Sequence, residues 1–553
     1  MNRSIALFVA LAALLAHTLA LHSDGSGNLA FSYDQSYAAY RLAHNLVVDG
    51  QLQWNPGTTA YESYASPVWV AVCAIAERLS ATRISSHYGL FSINLICQTL
   101  GVLAMLACVV LTAQFRPERV ASLIAPLILV ASGCIAAAAA NGLETALFTL
   151  IVVGLFLAFE RGRAGWSFVC ASLAVLTRPE GVFFVVALLV AQPFASRATT
   201  GESTRTRRAW PLVCGLLVFA GVCALRLAST GFVLPPSFAA LVAPRPGQHA
   251  DGLAYLRDFT CTFPAAFLAL QPLVLALLGR LSGTGSRALA LALVWLGYVA
   301  LQGRAPLPFC ELCVPAIPFL GIAIQEGLIV ALDSPALARR RVAITAFVVA
   351  LLVGVLPSNA PTDIGPIPLE RWQRAWLAPT GSARFGYEQA LGRAGLDEEI
   401  AHAHALRGIG LYLRDHLDPS ASVLTPWPGA VGYLSRMPVY DLLGRANPIA
   451  DLERPQAWSA RGRVDLVAAL RNDPPFDFVL ADVKPFKSLP TPAELAQRWV
   501  EGLDDRAQEP GRVALVAAEF ERYELVTVPI ASNTRASDPM PDIHVPLLRR
   551  RAL

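Results

Sequence analysis

The run Ile5-Ala-Leu-Phe-Val-Ala-Leu-Ala-Ala-Leu-Leu-Ala-His-Thr-Leu-Ala-Leu21 is followed, after a short polar segment, by Phe31-Ser-Tyr-Asp34-Gln35-Ser-Tyr37-Ala-Ala-Tyr40-Arg41-Leu-Ala-His44-Asn45-Leu46. The first stretch has one basic residue before it, Arg3, and an apolar core long enough to span a bilayer. Such a segment reads either as a cleaved signal peptide or as a first membrane helix. The many apolar runs behind it favour a retained helix with its N-terminus in the cytoplasm. The second stretch is polar and aromatic, and Tyr37, Tyr40, Arg41 and His44 recur at helical spacing. It reads as a juxtamembrane amphipathic helix beginning near Asp34.

Composition extends this reading to the whole chain. Of 553 residues, 55% are hydrophobic and only 15% charged, where a soluble protein carries about 25% charged residues. The net charge of +4 leaves no large basic surface for nucleic acid. Further apolar runs lie near 89–113, 119–140, 143–160, 164–177, 180–195, 210–228, 258–281, 286–303, 309–332 and 341–357, which with the first predicts about 11 to 13 transmembrane helices. Counted alternately from an inside N-terminus, the inside loops collect Arg116 with Arg119, Arg161 with Arg163, the cluster Arg197, Arg205, Arg207 and Arg208, then Arg280 with Arg287, and Arg339 to Arg341. Cytoplasmic loops favour such residues. The count is consistent only if 64–80 stays at the surface or re-enters. The segment Ser196–Arg208 reads as a cytoplasmic loop.

Long apolar runs end at Pro357 and charge becomes frequent, placing the remainder outside the cytoplasm. Short β-like runs at Ser422–Thr425, Val439–Leu443, Phe476–Ala481, Val513–Glu519 and Tyr523–Pro529 alternate with helix-like stretches at 387–416 and 492–502. The expected fold class is a polytopic α-helical membrane protein with a C-terminal extracytoplasmic α/β domain. Its domains are 1–357, with a first external loop at 22–88, and 358–553. All ten cysteines lie between Cys73 and Cys313, so no disulfide framework holds the second domain. Cys310-x-x-Cys313 has metal or redox spacing, but no second pair accompanies it, and a buried structural pair is the preferred reading. His402-x-His404 reads as a solvated helix face.

Two polar islands interrupt the apolar runs on the expected outer side: Asn141-Gly-Leu-Glu144-Thr145 and Leu176-Thr-Arg178-Pro-Glu180-Gly181. Ionisable groups near a membrane are costly and tend to mark function. With Asp34 they put carboxylates and a guanidinium on one face. A carboxylate can act as a base, and an Arg binds phosphate through several donors. On residue type alone, Asp34 equally suits a helix cap and the two islands suit solvated loop ends.

The run Asp34 to Asn45, followed by Trp54-Asn-Pro-Gly57 and Ser66-Pro-Val-Trp69, resembles the first external loop of a GT-C type glycosyltransferase branch. That branch uses polyprenyl-phosphate sugars and includes mycobacterial arabinofuranosyltransferases and relatives of protein mannosyltransferases. Gly142-Leu-Glu144-Thr145-Ala146, Leu176 to Gly181, Pro428-Gly-Ala-Val-Gly432-Tyr433 and Asp441-Leu-Leu-Gly444-Arg-Ala-Asn447-Pro448 follow in the family's order. The resemblance implies an inverting transfer from a lipid-linked sugar donor to a glycan, lipid or protein acceptor at the outer face. Asp34 would be the general base and Glu144 a second catalytic group. Arg178 would bind the phosphate, with Tyr37, Arg41, Glu180 and Arg304 as further substrate contacts.

The chain departs from the pattern at Gln35, where a second Asp is common. This weighs against a tightly held divalent metal. It also departs at Leu234–Phe238, which lacks the usual Asn and Lys, and at Glu311, near where an Arg is often found. A catalytically degenerate scaffold or glycan-binding protein is one alternative. A lipid or glycan transporter is another, though internal symmetry and charges at mid-span are lacking.

Overall fold

The computed structural model describes residues 3–22, 32–55, 66–81, 92–117, 120–191, 202–235, 248–303, 307–333, 383–384, 387–388, 392–442, 465–471, 475–483, 490–503, 509–530 and 543–551. The expected span 341–357 and domain boundary 357/358, Arg304, and much of Leu234–Phe238 lie outside these residues.

The first part of the chain is helical: α1 (Arg3–His22), α2 (Asp34–Val48), α3 (Pro67–Ala81), α4 (Ile93–Thr112), α5 (Ile124–Ala131), α6 (Gly133–Ala139), α7 (Thr145–Glu160), α8 (Ala164–Thr177), α9 (Gly181–Ala191), α10 (Glu202–Thr230), α11 (Gln248–Thr262), α12 (Leu270–Leu277) and α13 (Gly283–Gln302). A 3-10 segment at Pro308–Ala316 then leads into α14 (Ile317–Asp333). Among the described residues five helices are long and apolar enough to cross a membrane, and up to seven if two bent pairs each count as one span. The chain is a multi-pass membrane protein.

α1 belongs to the bundle: Ala10, Leu14 and Leu21 join the main apolar core, and His17 Nδ1 bonds the Val130 carbonyl oxygen at 3.0 Å. Two expected spans are not straight. The run 119–140 turns by 65° between α5 and α6, where Ser132 leaves helical backbone and caps α6 by accepting from the Ile135 amide. The run 258–281 breaks at Phe263, ahead of Pro264. The runs 143–160, 164–177 and 180–195 form α7, α8 and α9, which have 16, 14 and 11 residues against the roughly 20 of a full span. Part of the expected loop Ser196–Arg208 is already helix, since α10 starts at Glu202. The stretch 64–80 forms α3, of 15 residues, whose Trp69, Cys73 and Ala76 share a buried core with α2.

The second part is an α/β unit. After a two-residue pair, β1 (Ala383–Arg384) and β2 (Tyr387–Glu388), come α15 (Gly392–His416), β3 (Val423–Thr425), α16 (Pro428–Ser435), β4 (Val439–Asp441), α17 (Leu466–Leu470), β5 (Phe478–Leu480), α18 (Pro492–Leu503), α19 (Arg512–Phe520), β6 (Tyr523–Ile530) and β7 (Ile543–Arg550). The five-stranded sheet has the order β4-β3-β5-β7-β6. Strand β3 is parallel to β4 and β5, whereas β7 runs antiparallel to β5 and β6. Val513–Glu519, expected as a strand, is helix α19. Its buried positions Arg512, Val516 and Phe520, with Glu519 beside the last, fall four residues apart, a helical period that the Val content had masked.

One face of the sheet packs on α17, α18 and α19 around Leu466, Trp499 and Phe520. The other faces α15 and α16, and that core runs on without a break into α2, α3 and α4: Ile409, Val431, Val439 and Phe478 share it with Tyr37, Tyr40, Trp69 and Cys97. The membrane part and the α/β part thus meet through a common apolar core centred on α2 and α16.

Candidate active site

The local sequence explains how each polar island folds. Gly142 has φ +78°, and a Cβ there would overlap Ser32 Oγ and lie 2.5 Å from the Tyr40 hydroxyl, so the turn admits only glycine. Asn141 Oδ1 accepts from the Leu143 amide at 2.9 Å. Its main-chain oxygen accepts from Tyr33 N at 3.2 Å and Ser36 Oγ at 2.7 Å. The start of α2 is therefore seated on the turn that carries Glu144.

Arg178 closes α8 because Pro179 disfavours helical backbone at the residue before it; Arg178 is extended at φ −143°, ψ 131°. Gly181 then lets the chain pass over the last turn of α8, where a Cβ would lie 2.5 Å from the Ala174 oxygen. This turn aims Arg178 back at the first island. Its Nε donates to Glu144 Oε1 at 2.9 Å, and its Nη2 donates to Thr145 Oγ1 at 3.0 Å and Glu311 Oε1 at 3.4 Å. Thr145 Oγ1 also donates to Glu311 Oε1. Glu180 is buried, with its Oε1 accepting from the Tyr298 hydroxyl at 3.1 Å. Burial opposes the charge of Arg178, yet Glu144, Glu311 and Glu180 together hold its pKa raised.

Glu311 arrives on an unusual backbone. Phe309 and Cys310 both have positive φ, +56° and +48°, which costs non-glycine residues energy. The neighbouring Leu312 is fixed on both sides, its oxygen by Trp295 Nε1 at 2.8 Å and its amide by the Tyr255 hydroxyl at 3.3 Å. Tyr33 OH, Asn141 Nδ2 and Glu180 Oε2 are buried polar atoms that find no partner among the described residues. Burial, then the charges of Glu399 and Glu311, push the Tyr33 hydroxyl well above its ordinary pKa.

Asp34 lies in the first turn of α2, just after the Tyr33 cap position. Its Oδ1 accepts from the Ala430 amide at 2.7 Å, at the N-terminus of α16. Gly429 is obligatory there, since a Cβ would overlap the Asp34 carbonyl oxygen. Tyr37 packs its ring against Tyr40 and Tyr433, with centroids 5.2 and 5.8 Å away. Arg41 spends four donor contacts on the protein: the oxygens of Trp54 (2.8 Å), Gly432 (2.5 Å) and Met437 (2.9 Å), and Asn55 Oδ1 (2.7 Å). Burial, and then Arg436, draws its pKa down to about 9.

Of the residues singled out from sequence, the structure thus gathers Glu144, Arg178 and Glu180 into one cluster. It sets the helix start of Asp34 on the same turn and turns Tyr37 and Arg41 toward α16. Sequence reading had not placed Glu311, Thr145, Tyr298 or Tyr33 in the site. Glu311 did carry a signal, as a charge inside an otherwise apolar run, but it counted only as a departure from a pattern. Cys310 and Cys313 are buried, and the His402 ring lies against Trp427. Among the described residues no three His, Cys, Asp or Glu side chains are arranged to hold a metal ion.

A family model described as a domain of unknown function, DUF8728, matches residues 397–528. No curated protein matches the chain by sequence. Solved structures do match. ArnT from Cupriavidus metallidurans bound to undecaprenyl phosphate aligns over 82% of this chain and 87% of its own at 16% identity and a TM-score of 0.50. Its apo form aligns over 99% and 98% at 15% identity and a TM-score of 0.51. The Archaeoglobus fulgidus oligosaccharyltransferase in complex with zinc and sulfate aligns over 98% and 75% at 12% identity and a TM-score of 0.53. The chain has the GT-C fold.

Proposed function

We propose that this protein is a membrane glycosyltransferase that moves a sugar from a polyprenyl-phosphate-linked donor to a glycan, lipid or protein acceptor on the non-cytoplasmic face. The observation that carries the reading is the meeting, within a GT-C fold, of the helix start of Asp34 with Glu144 and Arg178 at one buried polar junction. On this reading residues 1–357 form the catalytic membrane domain. Residues 358–553 form an extracytoplasmic domain outside the inner membrane, and α16 of that domain closes the site over Asp34.

Asp34 takes the proton of the acceptor hydroxyl as the acceptor oxygen bonds the anomeric carbon and the bond to the phosphate oxygen breaks. A single displacement of this kind inverts the anomeric centre. The Ala430 amide orients the carboxylate. Arg178 stabilises the charge that collects on the departing phosphate, and Glu144 holds the guanidinium through Nε. Glu180 and Arg304 remain candidate substrate contacts. Tyr37 and Arg41 act as positioning residues, since both are spent on packing α16 against α2.

The test is transfer by the purified full chain from a panel of polyprenyl-phosphate sugars. Asp34→Asn keeps an oxygen for the Ala430 amide, so folding is expected to survive while transfer falls by roughly 100- to 10,000-fold. Full activity in that variant would remove Asp34 as the base. A second reading, a non-catalytic membrane scaffold, is favoured by the commitment of Asp34 to α16 and of Arg178 to carboxylates. It requires that polyprenyl phosphate show no saturable binding.

A further inference from the structure

Among the described residues, the Arg178 cluster sets three carboxyl groups, those of Glu144, Glu180 and Glu311, around one guanidinium. A phosphate arriving there meets carboxyl groups that already hold Arg178. The two carboxylates bonded to Arg178 are held differently. Glu144 bonds Nε at 2.9 Å, whereas Glu311 shares Nη2 at 3.4 Å with the Thr145 hydroxyl. A carboxylate and a phosphate present the same kind of anionic oxygen to a guanidinium and a hydroxyl. Glu311 and a donor phosphate are therefore competitors for one pair of donors.

Two further observations point to the same spot. Phe309 and Cys310 hold left-handed backbone immediately before Glu311, a cost that persists where surrounding structure enforces it. Tyr255 and Trp295 enforce it by fixing Leu312. Strained backbone has thus been built to deliver this one carboxylate to Arg178. Tyr33 OH, and Asn141 Nδ2 on the turn before Glu144, are buried donors with no partner among the described residues. They are the groups an incoming oxyanion needs, and Tyr33 is close enough to feel the Glu311 charge.

We propose that Glu311 is the donor-selecting residue of the site: its carboxylate occupies the place beside Arg178 and Thr145 that the donor's phosphate takes, and yields that place when the donor binds. The proposal rests on the lipid-phosphate reading above. Its consequence is that the protein trades affinity for selectivity, because only a ligand whose phosphate outcompetes an internal carboxylate is retained. The main chain around Leu312 stays pinned, so the exchange is a rotation of the Glu311 side chain.

The experiment compares binding of polyprenyl monophosphate and of neutral polyprenol to the full chain in detergent micelles. Removing a repelling charge from an anion site is worth about tenfold or more in affinity, so Glu311→Gln is expected to bind polyprenyl monophosphate about tenfold tighter and polyprenol unchanged. Glu311→Asp, which draws the carboxylate back by one methylene, is a second variant should Gln fold poorly, and is expected to shift affinity in the same direction by less. Unchanged or weaker phosphate binding in both variants overturns the proposal, as does an equal change for phosphate and polyprenol, which marks a purely structural role. Phosphate-selective binding by the unmodified chain that Arg178→Ala abolishes but Glu311→Gln leaves unaltered sinks the role of Glu311 alone. Absence of saturable phosphate binding in every variant sinks the donor reading with it.

Discussion

Two buried arginines, Arg41 and Arg178, show what separates a joint from a site. Arg41 faces mainly uncharged oxygens, three of them main-chain carbonyls, all within 2.9 Å. No formal carboxylate charge is among those contacts, and burial works against its own charge. It fixes α16 to α2, and the glycines of Pro428-Gly-Ala-Val-Gly432 fit it: a Cβ at Gly432 would lie 2.6 Å from Arg41 Nη1. Arg178 faces three carboxylates, and Glu180 Oε2 and Tyr33 OH in the same cluster find no partner among the described residues. Main-chain carbonyls cannot leave, but side-chain carboxylates can rotate away. The first arrangement is suited to permanence and the second to exchange.

The sharpest way to break this contrast is to remove each arginine in turn. Arg41→Met is expected to lower stability by about 3–5 kcal/mol, because it strands the buried oxygens of Gly432 and Met437. The measurement is thermal unfolding in detergent, and a loss as small as that of a surface substitution would refute the assignment of Arg41 as a joint. Gly429→Ala comes next. Its new methyl would overlap the Asp34 carbonyl oxygen, and a backbone shift of α16 costs about 1–3 kcal/mol. Because that shift also moves the Ala430 amide from Asp34, transfer activity should fall more than stability does. Retained activity would mean that α16 plays no part in orienting the carboxylate.

These differences also explain what the sequence could and could not reveal. Apolar run length located the membrane part, because the hydrophobic cost of exposing such runs leaves little choice. It could not reveal the 65° bend at Ser132, which depends on one capping contact. Strands β3 to β6 were legible as short β-like runs between helix-like stretches. Strand β7 was missed, since His544 and Pro546 interrupt its alternation, and α19 was misread because Val and Ala serve either period. The island residues Glu144, Arg178 and Glu180 were legible as charges at turns interrupting apolar runs. The partner of Asp34 was not: Ala430 is 396 residues away and contributes only a main-chain amide, which leaves no mark in side-chain chemistry. Arg41 misled for the converse reason, as a charged residue in a polar loop whose uses are all internal.

The smallest expected effect separates the two regions most cleanly, because it makes the same chemical change in both. Tyr433 donates to Glu77 Oε2 at 3.0 Å, while His44 Nδ1 lies 2.6 Å from Glu77 Oε1. This triad stitches α16 to α2 and α3. Tyr298 donates to Glu180 Oε1 at 3.1 Å, beside Arg178. Replacing either Tyr by Phe deletes one hydroxyl and keeps the ring. In the joint the orphaned Glu77 oxygen is buried between packed helices, so Tyr433→Phe is expected to cost about 1–3 kcal/mol. In the site Glu180 retains the attraction of Arg178 and can turn toward it, so Tyr298→Phe is expected to cost about 1 kcal/mol or less. Transfer should respond in the opposite order, with Tyr298→Phe the more damaging, because a Glu180 drawn to Arg178 adds to the competition the donor's phosphate must overcome. Unfolding temperature and initial transfer rate measured on both variants decide it. Equal ratios of lost stability to lost activity would mean that the two buried networks do the same job.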